Sequence, residues 1–522
     1  MDKEQVFPTQ ENSQGIIIER DEGGEVIFTE SSGDYILPDY LPEIRKILKI
    51  NARVIPAGRF ISGGKAEFAG TVAYTIIYSD GEGHIIASMQ NSDYEFSIPI
   101  PNDCAGASVC CDTAVDYVSY RLGGPRKISI RTTLKTKAHI LCENLCQSDG
   151  GSFGDDVEKL REAHYSMVTL CATSPEISLS DSALLDGYSA DSVKIVYCDG
   201  KVFVREARAV AGGVVCRGEV IVKCIYSPEG GTAFSSVKRI PFEETVPVVG
   251  AQPTYNAVAS GNCLSVDVSM SNGEGSTNVT YDVVLVIDVR CFTNSVINPV
   301  ADMFSVKCDY DCKYEDLTVC RFGGSILSNF TLDGSLQDLK GEMPRSIVDT
   351  EVKAEIKEVS VENGKAVISG VCTVTVIAIV AGDSPNTQYA SFEGTVPFRY
   401  ETDLKASLSS DFEYRIEAVS SRSRIDTKGI TFDTELSLWI KTSECSNVRM
   451  LESATPVLGS EYEHDSGIAV VYPSGKSLWD ISKTYKVHPR DITELNGLGN
   501  EMLENPAASY TLDDVNHVLI EK

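Results

Sequence analysis

The chain has 522 residues, with 46 lysines and arginines against 75 aspartates and glutamates, and a formal net charge of −29. Such acidity argues against nucleic-acid binding, because phosphates must be neutralised by cationic side chains. No stretch approaches the ~20 apolar residues of a membrane-spanning helix. A hydrophobic content of 42% nevertheless suffices for globular cores. At roughly 100–200 residues per domain, the length predicts three to five domains.

The first residues of the chain are polar and acidic, and no apolar segment typical of a secretion signal follows them. We therefore expect the chain to stay in the cytoplasm of the cell that makes it. Many of its 16 cysteines lie within apolar strand patterns, as Cys216, Cys224, Cys291 and Cys372 do. In a reducing compartment such cysteines are predicted to be free, buried thiols.

A seven-residue pattern occurs three times at intervals of roughly 150 residues, a period typical of one domain. Residues 94–100, 242–248 and 392–398 share an aromatic residue, Glu, any residue, Ser or Thr, a β-branched residue, Pro and an apolar residue. A glycine that leads into an alternating apolar strand precedes each copy. These glycines are Gly70, Gly218 and Gly370. We predict that they occupy equivalent positions in three repeats, as should Pro99, Pro247 and Pro397.

Each copy closes with a second run in which apolar and polar residues alternate, at 128–138, 279–289 and 430–440. A period of two residues indicates half-buried strands. Helical periodicity is scarce, and the best example is residues 42–48, where Pro42 suits an early helical position. The fold class is therefore predicted to be mainly β, with three tandem antiparallel β-rich repeats.

The last 55 or so residues have a different pattern. Residues 468–472 are typical of a strand, and Ser477 with Asp480 forms a capping-box pattern at a helix start. A second helix is predicted from Pro489 to the Asn496-Gly497 stop, and residues 517–520 close the segment as a strand. The order predicts a small βααβ module.

This module resembles the LysM domain. Residues 474–482 (Ser-Gly-Lys-Ser-Leu-Trp-Asp-Ile-Ser) stand where LysM has Gly-Asp-Thr-Leu-Trp-x-Ile-Ala, and residues 495–498 match its Leu-Asn-Gly-Leu. Two departures stand out, because Lys476 replaces the usual Asp and residues 511–514 replace the usual Pro-Gly-Gln. In glycan-binding LysM domains these loops form the sugar groove, so the departures argue against N-acetylglucosamine binding.

With residues 37–44 (Leu-Pro-Asp-Tyr-Leu-Pro-Glu-Ile) as an entry motif, the repeats resemble the SPOCS domain of endospore-forming bacteria. SPOCS repeats followed by LysM resemble the coat-encasement proteins of these organisms. The resemblance implies a mother-cell protein recruited to the forespore surface and the spore coat. Its implied partners are the coat basement-layer morphogenetic ATPase, bound through LysM, and other coat proteins. The alternative is a peptidoglycan-binding LysM protein of the spore envelope.

The predicted division follows from the repeats and the module. Its segments are an N-terminal segment (1–34), SPOCS repeats (35–150, 151–300 and 301–445), a linker (446–466) and a LysM domain (467–522).

The candidate partner-binding or glycan-binding residues lie in two loops and at the first helix start of the module. They are Ser474, Gly475, Lys476, Ser477, Trp479, Asn496, Gly497 and Leu498. Trp479 should point about 100° away from Leu478 around the helix. Two roles remain open for it, a binding hot spot or packing against the terminal strand.

Motifs of catalysis are missing from the sequence. The phosphate-loop pattern fails near residues 58–66, and six histidines leave little general-base capacity. The strongest metal candidate combines one histidine with five cysteines, namely His139, Cys142, Cys146, Cys308, Cys312 and Cys320. Because no Cys-x-x-Cys pair and no second histidine accompany it, we predict no metal, no cofactor and no enzymatic activity.

Overall fold

The structure is a computed structural model. It describes residues 16–21, 26–100, 104–146, 153–273, 276–339, 341–381, 387–427, 429–463, 467–507, 512 and 515–521. The architecture is mainly β and every described strand pair is antiparallel, which confirms the predicted fold class at this level. The longest helices in these ranges have eight residues and are too short to cross a bilayer.

Three β-sandwiches follow one another along the chain, each built from two packed sheets with the same strand order. One sheet is a three-stranded meander. In the other sheet, the last strand of the sandwich is central. On one side it pairs with the strand that precedes it in sequence, and on the other side with the one or two strands that come before the meander. In the first two sandwiches two shorter strands fill this outer position, whereas a single long strand fills it in the third.

The strand bounds are as follows. The first sandwich contains β1 (Ile16–Asp21), β2 (Val26–Ile36), β3 (Lys46–Ser62), β4 (Lys65–Ser79), β5 (Ile85–Pro99), β6 (Ala105–Gly124) and β7 (Lys127–Cys146). The second contains β9 (His164–Thr173), β10 (Ile177–Asp186), β11 (Val193–Val210), β12 (Gly213–Pro228), β13 (Phe234–Pro247), β14 (Asn256–Asn272) and β15 (Ser276–Ile297), with a 3-10 turn at Ala190–Ser192. The third contains β17 (Tyr310–Leu336), β18 (Pro344–Glu362), β19 (Lys365–Val380), β20 (Gln388–Lys405), β21 (Ser410–Asp426) and β22 (Gly429–Pro456).

Two further pieces complete the chain. A short ribbon pairs β8 (Val157–Arg161) with β16 (Val300–Ser305). The C-terminal module consists of β23 (Ile468–Val471), α1 (Leu478–Tyr485), α2 (Pro489–Asn496), α3 (Glu501–Glu504) and β24 (Val518–Glu521). β23 and β24 form its two-stranded sheet.

The predicted alternation places one face of each central strand in the sandwich core. In β4, Val72, Tyr74 and Ile76 are buried, and the corresponding residues of β12 and β19 are buried as well. These faces pack against the inward face of β7, β15 or β22 to form one core per sandwich. The period of two residues therefore decides which side chains are inside.

The three recurrent glycines occupy equivalent positions, because each lies on a central strand beneath an aromatic ring of the next strand. Gly70 is paired with Tyr94 and Gly218 with Phe242. A methyl group at Gly218 would collide with the carbonyl oxygen of Phe203 and with the Phe242 ring. A β-bulge on the preceding strand begins at the residue that pairs with each glycine. The close approach of ring and backbone explains why glycine is needed there.

The third copy of the seven-residue pattern is out of register with the other two. Gly370 is paired with Phe398, not with Phe392, so Phe398 is the counterpart of Tyr94 and Phe242. The prediction that the three prolines are equivalent is therefore wrong. Pro397 directly precedes the stacked ring and corresponds to Pro241 rather than to Pro247.

Two predicted boundaries and one helical pattern also need correction. Residues 26–34 of the predicted N-terminal segment belong to β2, which pairs with β7 and completes the first sandwich; residues 1–15 and 22–25 lie outside the described ranges. Residues 446–456 of the predicted linker continue β22 opposite β17, and Val448 and Met450 are buried there. Residues 42–48 form no helix, because β3 begins at Lys46 and pairs with β4.

The sandwiches meet at a shared apolar core to which each contributes residues. Its members are Leu48, Ile77 and Ile85 of the first, Tyr197, Ile225 and Ala233 of the second, and Val348, Ile377, Ile379 and Tyr389 of the third. Leu48 and Val348 are the extra residues of equivalent β-bulges, which turn them out of their own strand pairs. The three sandwiches are thus packed together through equivalent ends of their meander sheets.

The prediction that all thiols are free is wrong for two pairs of cysteines. Disulfides join Cys104 to Cys142 and Cys320 to Cys445, whereas Cys216, Cys224, Cys291 and Cys372 are buried thiols as expected. The pattern of apolar strand residues did not show which cysteines would face one another across neighbouring strands.

This pairing has a direct test. Two disulfides remove four of the 16 thiols, so counting under denaturing, non-reducing conditions should return at most about 12 thiols per chain. Reduction before counting should restore all 16. A count of 16 without reduction would contradict both disulfides.

Candidate functional site in the C-terminal module

The module has its own apolar core between the two-stranded sheet and the helices. Leu478 and Ile481 of α1, Ile492 of α2, and Val518 and Ile520 of β24 are buried in it. Ser477 caps α1, since its hydroxyl accepts a hydrogen bond from the Asp480 backbone N–H at 3.1 Å while the Asp480 carboxylate accepts from the Ser477 backbone. The predicted capping box is therefore present and fixes the start of α1.

Trp479 lies at an internal interface rather than on a free surface. Its side chain is only 4% exposed and packs against Leu160 of β8 and Phe304 of β16. The Phe304 and Trp479 rings meet edge to face, with centroids 5.0 Å apart. Neither expected role describes this position, because Trp479 anchors the module to the β8–β16 ribbon and not to its own terminal strand.

Asp302 holds the polar side of this interface. Its carboxylate accepts hydrogen bonds from Trp479 Nε1 at 2.9 Å, from Lys483 Nζ at 2.6 Å and from the Tyr314 hydroxyl at 2.9 Å. Burial raises the pKa of Asp302, but these donors outweigh burial and the pKa is lowered overall. Asp302 is therefore ionised at neutral pH and links the module to both β16 and β17.

A second set of contacts secures the other end of α1. His488 Nδ1 lies 2.5 Å from Glu158 Oε1 on β8, and Lys486 Nζ lies 3.6 Å from Asp309 Oδ1. The Tyr462 hydroxyl also donates a hydrogen bond to Asp309. The module is thus docked on the body of the chain by one aromatic anchor and several ion pairs.

The other predicted site residues divide into exposed loop residues and structural ones. Ser474, Gly475 and Lys476 are exposed, and the first two adopt positive φ angles of 48° and 80° in a turn. Gly497 is also exposed and ends α2 with a φ of 64°.

Asn496 and Leu498 have structural roles. The Asn496 amide bonds to the backbone N–H and C=O of Leu519, at 2.7 Å each, and so ties α2 to β24. Leu498 packs against the module core. Residues 511–514 stand in place of the usual Pro-Gly-Gln of LysM. Among them, Leu512 is buried in the module core, while Thr511, Asp513 and Asp514 lie outside the described residues.

An exposed apolar strip on β23 was not predicted as a site. Ile468 and Val470 on β23, and Tyr472 directly after the strand, occupy alternate positions and are 68%, 54% and 68% exposed. Val471, which points the other way, is buried in the module core. The alternation in the sequence indicates a strand, but it does not show that one face of that strand stays uncovered. Exposed large apolar side chains grouped on one face are typical of protein-binding surfaces.

A second cluster of functional interest lies where the three sandwiches meet. Each sandwich contributes one basic residue from an equivalent position, namely His139, Arg290 and Lys441. This position lies five residues after a leucine that faces a β-bulge, and the three leucines are Leu134, Leu285 and Leu436. All three basic residues approach the carboxylate of Glu413 on β21. His139 Nε2 lies 3.3 Å and Lys441 Nζ 2.9 Å from its oxygens, and Arg290 donates a hydrogen bond to it.

This cluster lines part of a cavity of about 800 Å³. Asp288, also in the cavity wall, accepts hydrogen bonds from Arg59 at 2.5 Å and Thr173 at 2.6 Å. Burial raises the pKa of Glu413, but Arg290, His139 and Lys441 outweigh burial and hold that pKa well below its usual range. Glu413 and Asp288 are thus each paired with basic residues.

The candidate metal ligands are not gathered at one place. Cys142 and Cys320 are in different disulfides, and His139 faces Glu413. The Cys146 side chain lies outside the described part of the chain. These pairings take three of the six candidate ligands, whereas Cys308 and Cys312 are free thiols.

Comparison with known protein families gives a match to two regions of the chain. Residues 192–271 and 345–423 match the family model described as SipL, SPOCS domain. A search of curated proteins and a search of solved structures found no match. Each matched region covers the meander and the following strand, β11–β14 in the second sandwich and β18–β21 in the third. Two regions of the chain therefore match the SPOCS domain, which suggests a role related to sporulation.

Proposed function

We propose that the chain is a non-enzymatic adaptor of spore-coat assembly that binds the coat basement-layer ATPase through its C-terminal LysM-like module. The observation that carries the proposal is the exposed strip of Ile468, Val470 and Tyr472 on a module whose Trp479 is already used for docking. An anchored module presents the strip in a fixed orientation, which lowers the entropy cost of binding a protein surface. In this proposal the chain acts in the mother cell, at the forespore surface.

The first sandwich is proposed to be a third SPOCS domain. Its β3–β6 segment has the strand order of the two matched regions. It also has a central-strand glycine under an aromatic ring and a β-bulge that begins at the residue facing that glycine. Three such domains packed around one core would give the module a rigid platform of about 450 residues.

Peptidoglycan binding is the second candidate function. It would use the exposed loop residues Ser474, Gly475, Lys476 and Gly497, which the docked arrangement leaves accessible. An apolar strip is a poor match for a polar glycan, whereas it suits the apolar centre of a protein interface. The strip therefore favours the adaptor function.

The strip can be tested by charge. The double variant Ile468→Glu and Val470→Glu should weaken binding to the purified basement-layer ATPase at least about tenfold. Two apolar side chains that the partner would cover are then replaced by charges that lose their water in the complex. Binding is measured by pull-down and titration, and recruitment by the position of a fluorescent fusion during sporulation. Leu458→Glu, at a residue that is 98% exposed outside the module, is the matched control.

Unchanged ATPase binding by the double variant would contradict the strip as the binding surface. Retention of the wild-type chain on purified peptidoglycan, competed by free chitooligosaccharide, would favour the glycan alternative instead.

A further inference from the structure

Two cysteines from different sandwiches meet in the wall of the cavity beside Glu413. Cys110 lies on β6 of the first sandwich and is paired with His139, and Cys171 lies on β9 of the second and is paired with Arg290. Their sulfur atoms are 3.3 Å apart, although the two residues are 61 positions apart in the chain. Both are thiols and belong to neither of the two disulfides. The packing of the two sandwiches therefore brings them together.

This contact between sulfur atoms needs only a small movement to become a covalent bond. The two sulfurs of a disulfide are about 2.05 Å apart, so Cys110 Sγ and Cys171 Sγ would have to approach each other by roughly 1.3 Å. The strands that carry them, β6 and β9, already have Cα atoms within 8 Å of each other. A small rotation of the two side chains supplies such a movement and leaves the sandwiches in place.

The pair also lies where a small oxidant can reach it. Cys171 is half-buried, Cys110 is 8% exposed, and both line the cavity of about 800 Å³. A second close pair, Cys198 and Cys224, has its sulfurs 3.2 Å apart, but these residues face each other on β11 and β12 of one sandwich. Cys224 is fully buried, and neither member of that pair is in the cavity wall. Access and a position across a domain boundary thus coincide at Cys110 and Cys171.

We propose that Cys110 and Cys171 are a site of disulfide formation that joins the first sandwich covalently to the second, with a low-molecular-weight disulfide as the oxidant. The thiolate of Cys171, the more exposed residue, attacks the S–S bond of the oxidant, forms a mixed disulfide and releases one small thiol. The thiolate of Cys110 then attacks the Cys171 sulfur and releases the second small thiol. The two cysteines lose two electrons and two protons, and the small disulfide takes them up as its two thiols.

The bond fixes the arrangement of the cavity wall. His139 and Arg290, which are paired with the two cysteines, both approach Glu413 of the third sandwich. A cross-link between β6 and β9 therefore holds two of the three basic residues of that cluster in a fixed relation to each other. It also restricts the unfolded chain, because it closes a loop between residues 61 positions apart. The cross-linked chain should therefore unfold at a higher urea concentration than the reduced one.

The test is oxidation of the folded full chain with hydroxyethyl disulfide at mildly alkaline pH, followed by alkylation of the remaining thiols and peptide mapping without reduction. We expect most chains to carry the Cys110–Cys171 cross-link, and their urea midpoint to rise and to fall again when dithiothreitol reduces the bond. In Cys110→Ser the mixed disulfide has no second thiol to resolve it, so the hydroxyethylthio group should remain on Cys171. Cys111→Ser is the matched control, because Cys111 is the next residue of β6 and also lines the cavity. It should form the cross-link as the wild type does.

Recovery of Cys110 and Cys171 as separate alkylated residues from the oxidised, folded wild type would overturn the proposal. Loss of the cross-link in Cys111→Ser would also overturn it, because the bond would then involve Cys111. A cross-linked chain with an unchanged urea midpoint would show that the bond does not hold the two sandwiches together. The mapping of the wild type requires no substitution, so a variant that fails to fold leaves the central result intact.

Discussion

Replacing Glu413 by glutamine is expected to lower the free energy of unfolding by about 3–5 kcal/mol, the range for removing one partner of a buried ion pair. The carboxylate faces His139, Arg290 and Lys441, one basic residue from each sandwich. Without it, cations that are largely shielded from water are left beside one another. The effect should be visible in urea unfolding followed by the fluorescence of Trp439, whose ring lies 5.4 Å from the Arg290 guanidinium.

A control and a pH series sharpen this prediction. Glu393→Gln, at an exposed position of β20, should change stability by less than about 0.5 kcal/mol. Because the folded-state pKa of Glu413 is lowered, its contribution is complete above the pKa of about 4.3 of an unfolded glutamate. It is lost as the pH falls through the folded-state pKa. The difference between wild type and Glu413→Gln should therefore persist from pH 7 to about 5 and shrink in more acidic solution.

A wild-type urea midpoint for Glu413→Gln at pH 7 would mean that the three sandwiches do not depend on this carboxylate. The pH series then shows whether the Glu413 carboxyl group is ionised or protonated in the folded protein. If the glutamate were protonated in the folded state, the wild type would show no acid-dependent loss in this range.

Local patterns in the sequence predicted antiparallel β-rich repeats but not their repeat register. Alternation with a period of two placed Val72 and its counterparts inside, and glycine was expected at a shared position. The third copy failed because residues 392–398 resemble the other copies in composition, whereas Gly370 packs against Phe398. The ring and the glycine lie on neighbouring strands, so a sequence pattern along one strand does not reveal their contact.

The site was harder to predict because its contacts span long sequence distances. Trp479 finds Asp302 and Phe304 on a ribbon made from residues far apart in the chain, so helical periodicity gave only the direction of its side chain. The basic cluster left a weak signal. Arg290 and Lys441 each follow a leucine by five residues at equivalent places in repeats two and three. Only the packing of three sandwiches shows that these residues meet one carboxylate.

Truncating Trp479 to alanine should undock the C-terminal module without unfolding it. The residue packs against Leu160 and Phe304, and the module core is formed by other residues, including Leu478, Ile481 and Ile492. Loss of a buried tryptophan typically costs about 3–5 kcal/mol, and here that cost falls on the docking interface. We expect a larger maximum dimension in small-angle X-ray scattering, faster hydrogen exchange in β8 and β16, and unchanged helical circular dichroism.

The same variant separates the two surfaces that the module could offer to a partner. Leu495→Ala, at a half-exposed residue of α2, is its control and should leave the docked shape unchanged. If the partner binds the strip on β23, Trp479→Ala should keep most of its affinity for the partner in solution, because Trp479 is turned toward the ribbon. The fusion should then reach the forespore surface but hold the three sandwiches there in a variable orientation. Loss of partner binding by a folded but undocked Trp479→Ala chain would instead show that binding depends on the docked arrangement, and the strip alone would not be the binding surface.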